Sequence, residues 1–265
     1  MSISWIVQNN LGSTSSTAES IKYACEQEGQ TFVPIQVVPF SHDLPDFPEI
    51  EGKFVLYGRT TLMLNAYHHP LWQKGLYFEP DLFTPKCYLE HWGELMLNHD
   101  AIFTVLSQSV NAVKDKFKSI QRDDMLFVRP NDDLKYFAGG MMPFSRLIDM
   151  MENSLDGEPV NPNTELVISL PKNIDREWRL FVVDGKVVTG SQYLPSASAF
   201  VPQGVIDFAE KVVSTWSPVS IFVIDIASAS NNFKIIECNC FNGSGFYHSD
   251  LNKLVRMVSK YIEFT

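Results

Sequence analysis

Oxygen-bearing side chains occur in two neighbouring apolar segments near the end of the 265-residue chain. Residues 221–227, IFVIDIA, contain the single acid Asp225, and residues 233–240, FKIIECNC, contain Glu237 and Asn239. Carboxylates inside apolar strands are costly unless they are paired or bind a cation. Two carboxylates and an amide, with no histidine or cysteine among them, suit a hard cation such as Mg²⁺. The pattern therefore predicts a metal site at these three side chains.

The two segments read as the strands of a hairpin, and strand alternation tests whether the three side chains meet. With residues 228–232 as the turn, Asp225 lies opposite Ile235 and one diagonal step from Glu237, on the same face. A slip of one residue would move Asp225 to the other face. The alternative is a hairpin whose acids simply face water, because short motifs also match by chance.

A second set of residues has the charges that a nucleoside triphosphate needs. Arg129 and Lys135 accompany a polar loop that ends in glycines 139–140, and Glu177 and Arg179, two residues apart, share one strand face. The cations would neutralise phosphate charge, and the acids would hold the metal that bridges the phosphates. Each residue alone also fits a strand end, a surface charge or a cross-strand pair. Together and in this order they favour a site for a nucleotide with Mg²⁺.

The first hundred residues alternate between strands and helices. Apolar patterns predict strands at 2–8, 31–40 and 53–58, and helices at 18–28 and 60–69. This alternation is typical of a small parallel sheet covered by helices.

The second half is predicted to be α+β with mainly antiparallel strands. Residues 98–121 carry a mostly helical apolar stripe, and Asp184-Gly185 marks the turn of a hairpin. Further helices are predicted at 143–153, 203–216 and 250–263. Between the halves we expect a short strand near residue 76 and a helix around 86–97. The predicted domains are 1–97 and 98–265, the second with subdomains 98–165 and 166–265.

Composition excludes several classes of protein. The chain is 45% apolar and 20% charged, as in an ordinary globular protein, and has no apolar run of membrane-spanning length. Its net charge of −10 disfavours a nucleic-acid partner. The first residues lack a signal-peptide pattern, and four scattered cysteines do not form a disulfide framework, so we expect a cytoplasmic protein. Cys238 and Cys240 are predicted to be buried thiols behind the acidic face.

The order of these motifs resembles the ATP-grasp superfamily. The segments FVRPNDDLKYFAGG, EWRLFVVDGKVVTGSQY, FVIDIA and FKIIECNCFNGSGFY resemble, more narrowly, the clade named after two arginines and one lysine, often found in phages and bacteria. The resemblance implies an α/β and α+β architecture, in which two α+β subdomains clamp ATP and a small parallel-sheet pre-ATP-grasp domain precedes them. For a phage-encoded member it implies the host cytoplasm.

The resemblance also implies roles for individual residues. Phosphate contacts would fall to Arg129 and Lys135, adenine contacts to the strand end at Ser169 and Leu170, and Mg²⁺ contacts to Asp225, Glu237 and Asn239. Nucleotide binding would extend to Glu177, Arg179 and Asn239, with Arg179 and Lys135 as catalytic residues and Asn242 and Ser244 near the acceptor. The sequence departs from many ATP-grasp enzymes in having arginine rather than lysine at position 129 and no acidic residue near Ser169.

The function implied is an ATP-dependent carboxylate–amine ligase that acts through an acyl phosphate and releases ADP and phosphate. Its partners would be ATP, a carboxylate substrate, and an amine from an amino acid, peptide or protein. Two alternatives stay open: a kinase that transfers phosphate without ligation, and a catalytically silent binding protein on the same scaffold.

Overall fold

The computed structural model describes residues 2–9, 16–38, 43–131, 137, 139–152 and 160–265. Two compact units divide the chain: one comprises Met1–Glu79 together with Asp175–Thr265, and the other is Pro80–Ile174. The predicted domains are continuous in sequence, whereas the first compact unit is built from both ends of the chain. The limits 1–97 and 98–265 therefore describe a different division, and they stay a prediction.

Eleven strands and seven α-helices are assigned in the described residues. In the first 120 residues they are β1 (Ser4–Gln8), α1 (Ser16–Gln27), β2 (Thr31–Ile35), β3 (Phe54–Tyr57), α2 (Thr60–Tyr67), α3 (Pro85–Trp92), β4 (Ile102–Val105) and α4 (Leu106–Lys116). The remainder are β5 (Met125–Pro130), β6 (Gly140–Pro143), α5 (Phe144–Glu152), β7 (Glu165–Ser169), β8 (Arg176–Val183), β9 (Lys186–Leu194), α6 (Gln203–Thr215), β10 (Ile221–Ala229), β11 (Asn232–Cys240) and α7 (Leu251–Phe264).

The first unit contains two sheets. Strands β2, β1 and β3 form a parallel sheet in that order, as the alternating pattern predicted. The second sheet is antiparallel, with the order β11-β10-β8-β9. Both of its hairpins turn through residues with positive φ: Asp184 and Gly185 at 50° and 74°, and Ser230 and Asn231 at 50° and 64°. Such pairs match the right-handed twist of the flanking strands.

One hydrophobic core joins the two sheets of the first unit. Side chains from the parallel sheet, from β8 and β10, and from α1 and α7 pack together in it; they include Trp5, Val7, Ile21, Tyr57, Phe181, Val223, Phe241, Leu254 and Val258. The indole of Trp5 also donates a hydrogen bond to Ser259 Oγ at 3.0 Å. The residues before Glu79 are therefore part of the same folded body as the residues after Asp175.

The second unit is an antiparallel sheet with the strand order β4-β7-β5-β6. Helices α4 and α5 cover one face, where Leu106, Val110, Leu126, Val128, Leu147, Leu166 and Ile168 form the core. Side chains alternate along β5, so Arg129, next to core residue Val128, belongs to the opposite face. Its cross-strand partner there is Val167.

Three local predictions are wrong. Residues 98–121 are not helical throughout, because Ile102–Val105 pairs with β7 as strand β4 before the helix begins. No strand forms near residue 76: the amide of Tyr77 instead donates to the side chain of Asn242 at 2.8 Å. The glycine loop ends earlier than expected, since Gly140 begins strand β6. Within the described ranges, none of the helices has both the length and the apolar character needed to cross a membrane.

Candidate functional site

Asp225 lies at the centre of the antiparallel sheet of the first unit. Strand β10 runs between β8 and β11, and Asp225 pairs with Arg179 on one side and with Glu237 on the other. Directly paired residues share a face of the sheet, so these three side chains form one row across it. The apolar residues around Asp225 on β10 belong to the core, which explains why only 1% of its surface is exposed.

The predicted register of the β10–β11 hairpin is wrong in detail. The turn is at Ser230-Asn231, and the register shifts between Asp225 and Ile226, so that Asp225 pairs with Glu237 and Ile226 with Ile235. The irregularity is a β-bulge, which places one extra residue on β11. It brings the two carboxylates directly opposite one another, closer than the diagonal arrangement that simple alternation predicts.

The three predicted metal ligands meet in the structure. The amide nitrogen of Asn239 donates to Glu237 Oε1 at 3.1 Å and to Asp225 Oδ2 at 3.4 Å. Cys238 and Cys240 are buried, as predicted, and by strand alternation they belong to the opposite face of β11.

Arg179 holds Asp225 in a bidentate ion pair. Its Nε donates to Asp225 Oδ1 at 2.9 Å and its Nη2 donates to Oδ2 at 2.7 Å. The two side chains are only 12% and 2% exposed. Burial raises the pKa of Asp225 to about 6, against the hydrogen bonds and charge of Arg179, which lower it. Burial opposes the charge on Arg179, but the bonds and charge of Asp225 outweigh it, so the pKa of Arg179 lies above its ordinary value.

Two tyrosines that the sequence analysis did not single out complete this group. The guanidinium of Arg179 lies over the ring of Tyr247, 5.1 Å from its centroid. Tyr193 stacks on Tyr247 with centroids 5.1 Å apart and rings inclined by 10°. The pKa of Tyr193 is raised by burial, by the charge of Asp225 and by its hydrogen bond to Glu177. This hydrogen bond connects Glu177 to the group that contains Asp225 and Arg179. In the sequence, Tyr247 lies two residues after Gly245, at the end of the segment that contains the acidic hairpin.

The donor set of this group fits a hard divalent cation. Asp225 and Glu237 supply carboxylate oxygens, and a half-turn of the Asn239 amide would present its oxygen as well. In the described ranges, this site included, no group of three or more His, Cys, Asp or Glu side chains could hold a metal ion. A cation bound here would therefore rely on two carboxylates and would keep positions for water or phosphate oxygens.

The other residues predicted to bind nucleotide belong to the second unit. Of these, Lys135 lies outside the described residues. Gly139 passes so close to Arg129 that a Cβ built on this glycine would be 2.7 Å from that of Arg129. Ser169 is fully buried and its hydroxyl donates to Asn98 Oδ1 at 3.2 Å, whereas Leu170 is 39% exposed. Backbone contacts between adenine and the end of β7, at Ser169 and Leu170, stay a prediction.

Asn242 and Ser244 have structural partners in the first unit. Asn242 is fully buried, donates from its amide to the carbonyls of Leu56 and Gly75, and accepts from Tyr77. Ser244 is also buried and donates to the carbonyl of Cys240 at 2.7 Å. The bond from Asn242 to Leu56 ties the loop after β11 to β3, and a place for Asn242 and Ser244 near the acceptor stays a prediction.

A family model matches residues 54–258 of this chain. It describes an ATP-grasp domain, family 3 of the clade named after two arginines and one lysine. No curated protein matches the sequence.

Solved structures of low sequence identity share the fold. D-cycloserine synthetase DcsG is 11% identical with a TM-score of 0.64, covering 98% of this chain and 99% of its own. D-alanine–D-alanine ligase from Bacillus anthracis is 14% identical with a TM-score of 0.61, covering 99% and 97%. The ATP-grasp ligase PsnB, complexed with a phosphomimetic variant of its minimal precursor, Mg and ADP, is 12% identical with a TM-score of 0.58, covering 99% and 98%.

Proposed function

Because this chain belongs to the ATP-grasp domain family, in the third family of the two-arginine, one-lysine clade, we propose that it is an ATP-dependent carboxylate–amine ligase. It forms an acyl phosphate from ATP and a carboxylate, and it releases ADP and phosphate when an amine attacks. The observation that carries this proposal is the group of Asp225, Glu237 and Asn239, joined by hydrogen bonds and held beside Arg179.

Asp225, Glu237 and Asn239 would hold Mg²⁺. When bound, this ion supplies positive charge that neutralises the phosphate oxygens of ATP during phosphoryl transfer. The carboxylate oxygens of Asp225 and Glu237 and the amide of Asn239, which lies within hydrogen-bond distance of both carboxylates, support this assignment.

The cations of the chain have phosphate roles in this proposal. Arg179 stabilises the negative charge on the transferring phosphoryl group and on the acyl phosphate. Arg129 and Lys135 bind the phosphates of ATP, for which the planar, permanently charged guanidinium of Arg129 is well suited. Backbone groups of Ser169 and Leu170 bind adenine in this proposal.

The chemistry has two steps. In the first, a carboxylate oxygen attacks the γ-phosphorus of ATP, the bond to the β-phosphate oxygen breaks, and ADP leaves. In the second, the amine attacks the acyl carbon, the bond to the phosphate oxygen breaks, and inorganic phosphate leaves as the amine nitrogen loses a proton. A neutral amine needs no strong base for this attack.

The names of two solved structures of the same fold support a proposal for the substrates. One is a D-alanine–D-alanine ligase, and the ATP-grasp ligase PsnB has also been solved in complex with a precursor peptide. We therefore propose that the carboxylate and the amine come from an amino acid, a peptide or a protein, and that the reaction takes place in the cytoplasm.

The test is a screen of carboxylate and amine pools with ATP and Mg²⁺, read by mass spectrometry. The expected product is an amide, formed only when both substrates and ATP are present, with ADP released in equal amount. A carboxylate labelled with ¹⁸O should pass one labelled oxygen to the released phosphate, because that oxygen bridges the acyl phosphate. A product that keeps the phosphate would identify a kinase, and ATP binding without turnover across the pools would favour a binding protein.

A further inference from the structure

Arg179 binds the same carboxylate that the proposed metal site uses. Both oxygens of Asp225 accept from this guanidinium, at 2.9 and 2.7 Å, and both side chains are almost completely buried. A cation that coordinates Asp225 must therefore bind beside a guanidinium that is already there.

Two further contacts hold the guanidinium of Arg179 in this place, and a third residue supports one of them. The carbonyl of Gly245 accepts from Nη1 at 3.5 Å, and the ring of Tyr247 lies against the planar group. Tyr193 supports Tyr247 by stacking on its ring. Tyr247 adopts φ of 49°, an uncommon conformation for a non-glycine residue, and such conformations concentrate at functional sites. The side chain of Arg179 is thus positioned from several directions.

Charge balance at this site depends on what binds there. Asp225 and Glu237 carry two negative charges, Glu177 adds a third nearby, and Arg179 contributes one positive charge. A free divalent cation gains attraction from the acids and meets repulsion from a guanidinium on the same carboxylate. Burial weakens screening by water, so both the attraction and the repulsion are larger than at a protein surface, and removing the guanidinium should have a large effect. A nucleoside triphosphate adds several negative charges, which favour both cations.

We infer that Arg179 keeps free divalent cations from binding at Asp225 and makes metal binding depend on nucleotide, with Tyr247 as the residue that positions it. The inference rests on the proposed function, since it takes Asp225, Glu237 and Asn239 as the metal ligands. The metal then binds as its nucleotide complex, and Asp225 stays paired with Arg179 until that complex arrives.

The test measures binding of Mn²⁺ alone, by electron paramagnetic resonance of the free ion, to the folded full chain. Arg179→Gln removes the charge and keeps a hydrogen-bond donor, and it should tighten binding of Mn²⁺ alone by roughly tenfold. Arg179→Lys keeps the charge and should bind Mn²⁺ as weakly as the unmodified protein. Arg256→Gln is the matched control, because it removes a cation that pairs with Glu28 instead. It should leave Mn²⁺ binding unchanged.

A second titration adds a non-hydrolysable ATP analogue. The unmodified protein should gain affinity for Mn²⁺ when nucleotide is present, and Arg179→Gln should gain much less. Tyr247→Ala should also tighten binding of Mn²⁺ alone, by a smaller factor, whereas Tyr247→Phe keeps the ring and should not. The tyrosine pair provides the test if the Arg179→Gln protein does not fold.

Equal affinity for Mn²⁺ alone in the unmodified protein and in Arg179→Gln, with nucleotide-assisted binding retained, would overturn the role of Arg179 and leave the ligase proposal standing. If nucleotide fails to bring Mn²⁺ to the unmodified protein, the metal site itself is wrong and both proposals fall.

Discussion

Two ion pairs in different units have similar donor–acceptor distances, but the pKa of the acid shifts in opposite directions in the two pairs. Asp225 receives both bonds of Arg179 at 2.9 and 2.7 Å, and Asp100 receives Lys172 on both oxygens at 2.8 Å. The first pair is 2% and 12% exposed, the second 38% and 26%. The pKa of Asp225 is raised, because burial outweighs its partner. Burial also raises the pKa of Asp100, but the bonds and charge of Lys172 outweigh it and the net shift is downward.

The comparison shows that burial, more than distance, decides in which direction the pKa of the acid shifts. Water around Asp100 stabilises its charge with or without Lys172, so this pair adds little. Asp225 has lost that water and depends on whatever cation the protein or a ligand provides. A site with this property is suited to bind a metal, and the predictions below test the contrast.

The largest expected effect is on activity. Asp225→Asn should lower turnover in the ligase assay by about 10²–10³-fold, because it removes a charged oxygen that the metal requires. Asp100→Asn is the matched change in the exposed pair and should stay within about twofold of the unmodified enzyme. Steady-state rates of ADP release measure both. Similar losses in the two variants would contradict the assignment of Asp225.

The next effect is on stability. Arg179→Met leaves the buried Asp225 without its counter-charge and should lower the free energy of unfolding by about 3–5 kcal/mol. Lys172→Met should lower it by less than about 1 kcal/mol. Urea denaturation near neutral pH compares them. A loss at Arg179 as small as the loss at Lys172 would mean that burial does not govern the pair.

A double-mutant cycle separates the pair from its surroundings. Combining Asp225→Asn with Arg179→Met should recover part of the stability lost in each single variant, with a coupling of roughly 1–3 kcal/mol. The cycle of Asp100→Asn with Lys172→Met should give a coupling of about 0.5 kcal/mol at most, in the range of exposed pairs. If the two couplings agree, the contrast between the sites fails.

The smallest effect is the pH dependence of the exposed pair. The pKa of Asp100 is below its ordinary value of 3.8 in the folded chain, so the pair contributes stability above that value. The contribution is lost as pH falls through the lower, folded pKa. The difference in unfolding free energy between the unmodified protein and Lys172→Met should therefore shrink in strong acid and in high salt. A difference that grows on acidification would reverse the sign of the proposed shift.

The two hairpins of the first unit illustrate how far the sequence alone reaches. Asp184-Gly185 is a strong turn signal, and the β8–β9 turn was correctly predicted. Ser230-Asn231 is a weaker signal, and the β10–β11 turn was placed two residues too early at its start. The bulge beside Asp225 depends on pairing across strands, which a local pattern does not contain.

The candidate site shows the same limit. Side-chain type and strand alternation were enough to select Asp225, Glu237 and Asn239, and the structure brings all three together. They were not enough to predict the ion pair with Arg179, because residues 179 and 225 meet only through the order of strands in the sheet. Tyr193 reaches the site from β9, and Tyr247 from the loop after β11, where the two rings stack.

The shared core of the first unit also limits how this protein can be shortened. A fragment cut to residues 54–258 would keep β3 and the whole acidic hairpin but lose Trp5, Val7 and Ile21, together with the Ser259 hydroxyl that accepts from the indole. The core that contains Phe181, Val223 and Phe241 would then lose part of its packing, and apolar surface exposed in this way promotes aggregation. The segment that the family model matches is therefore shorter than the segment that builds this core. Expression trials should retain residues 3–262 at least.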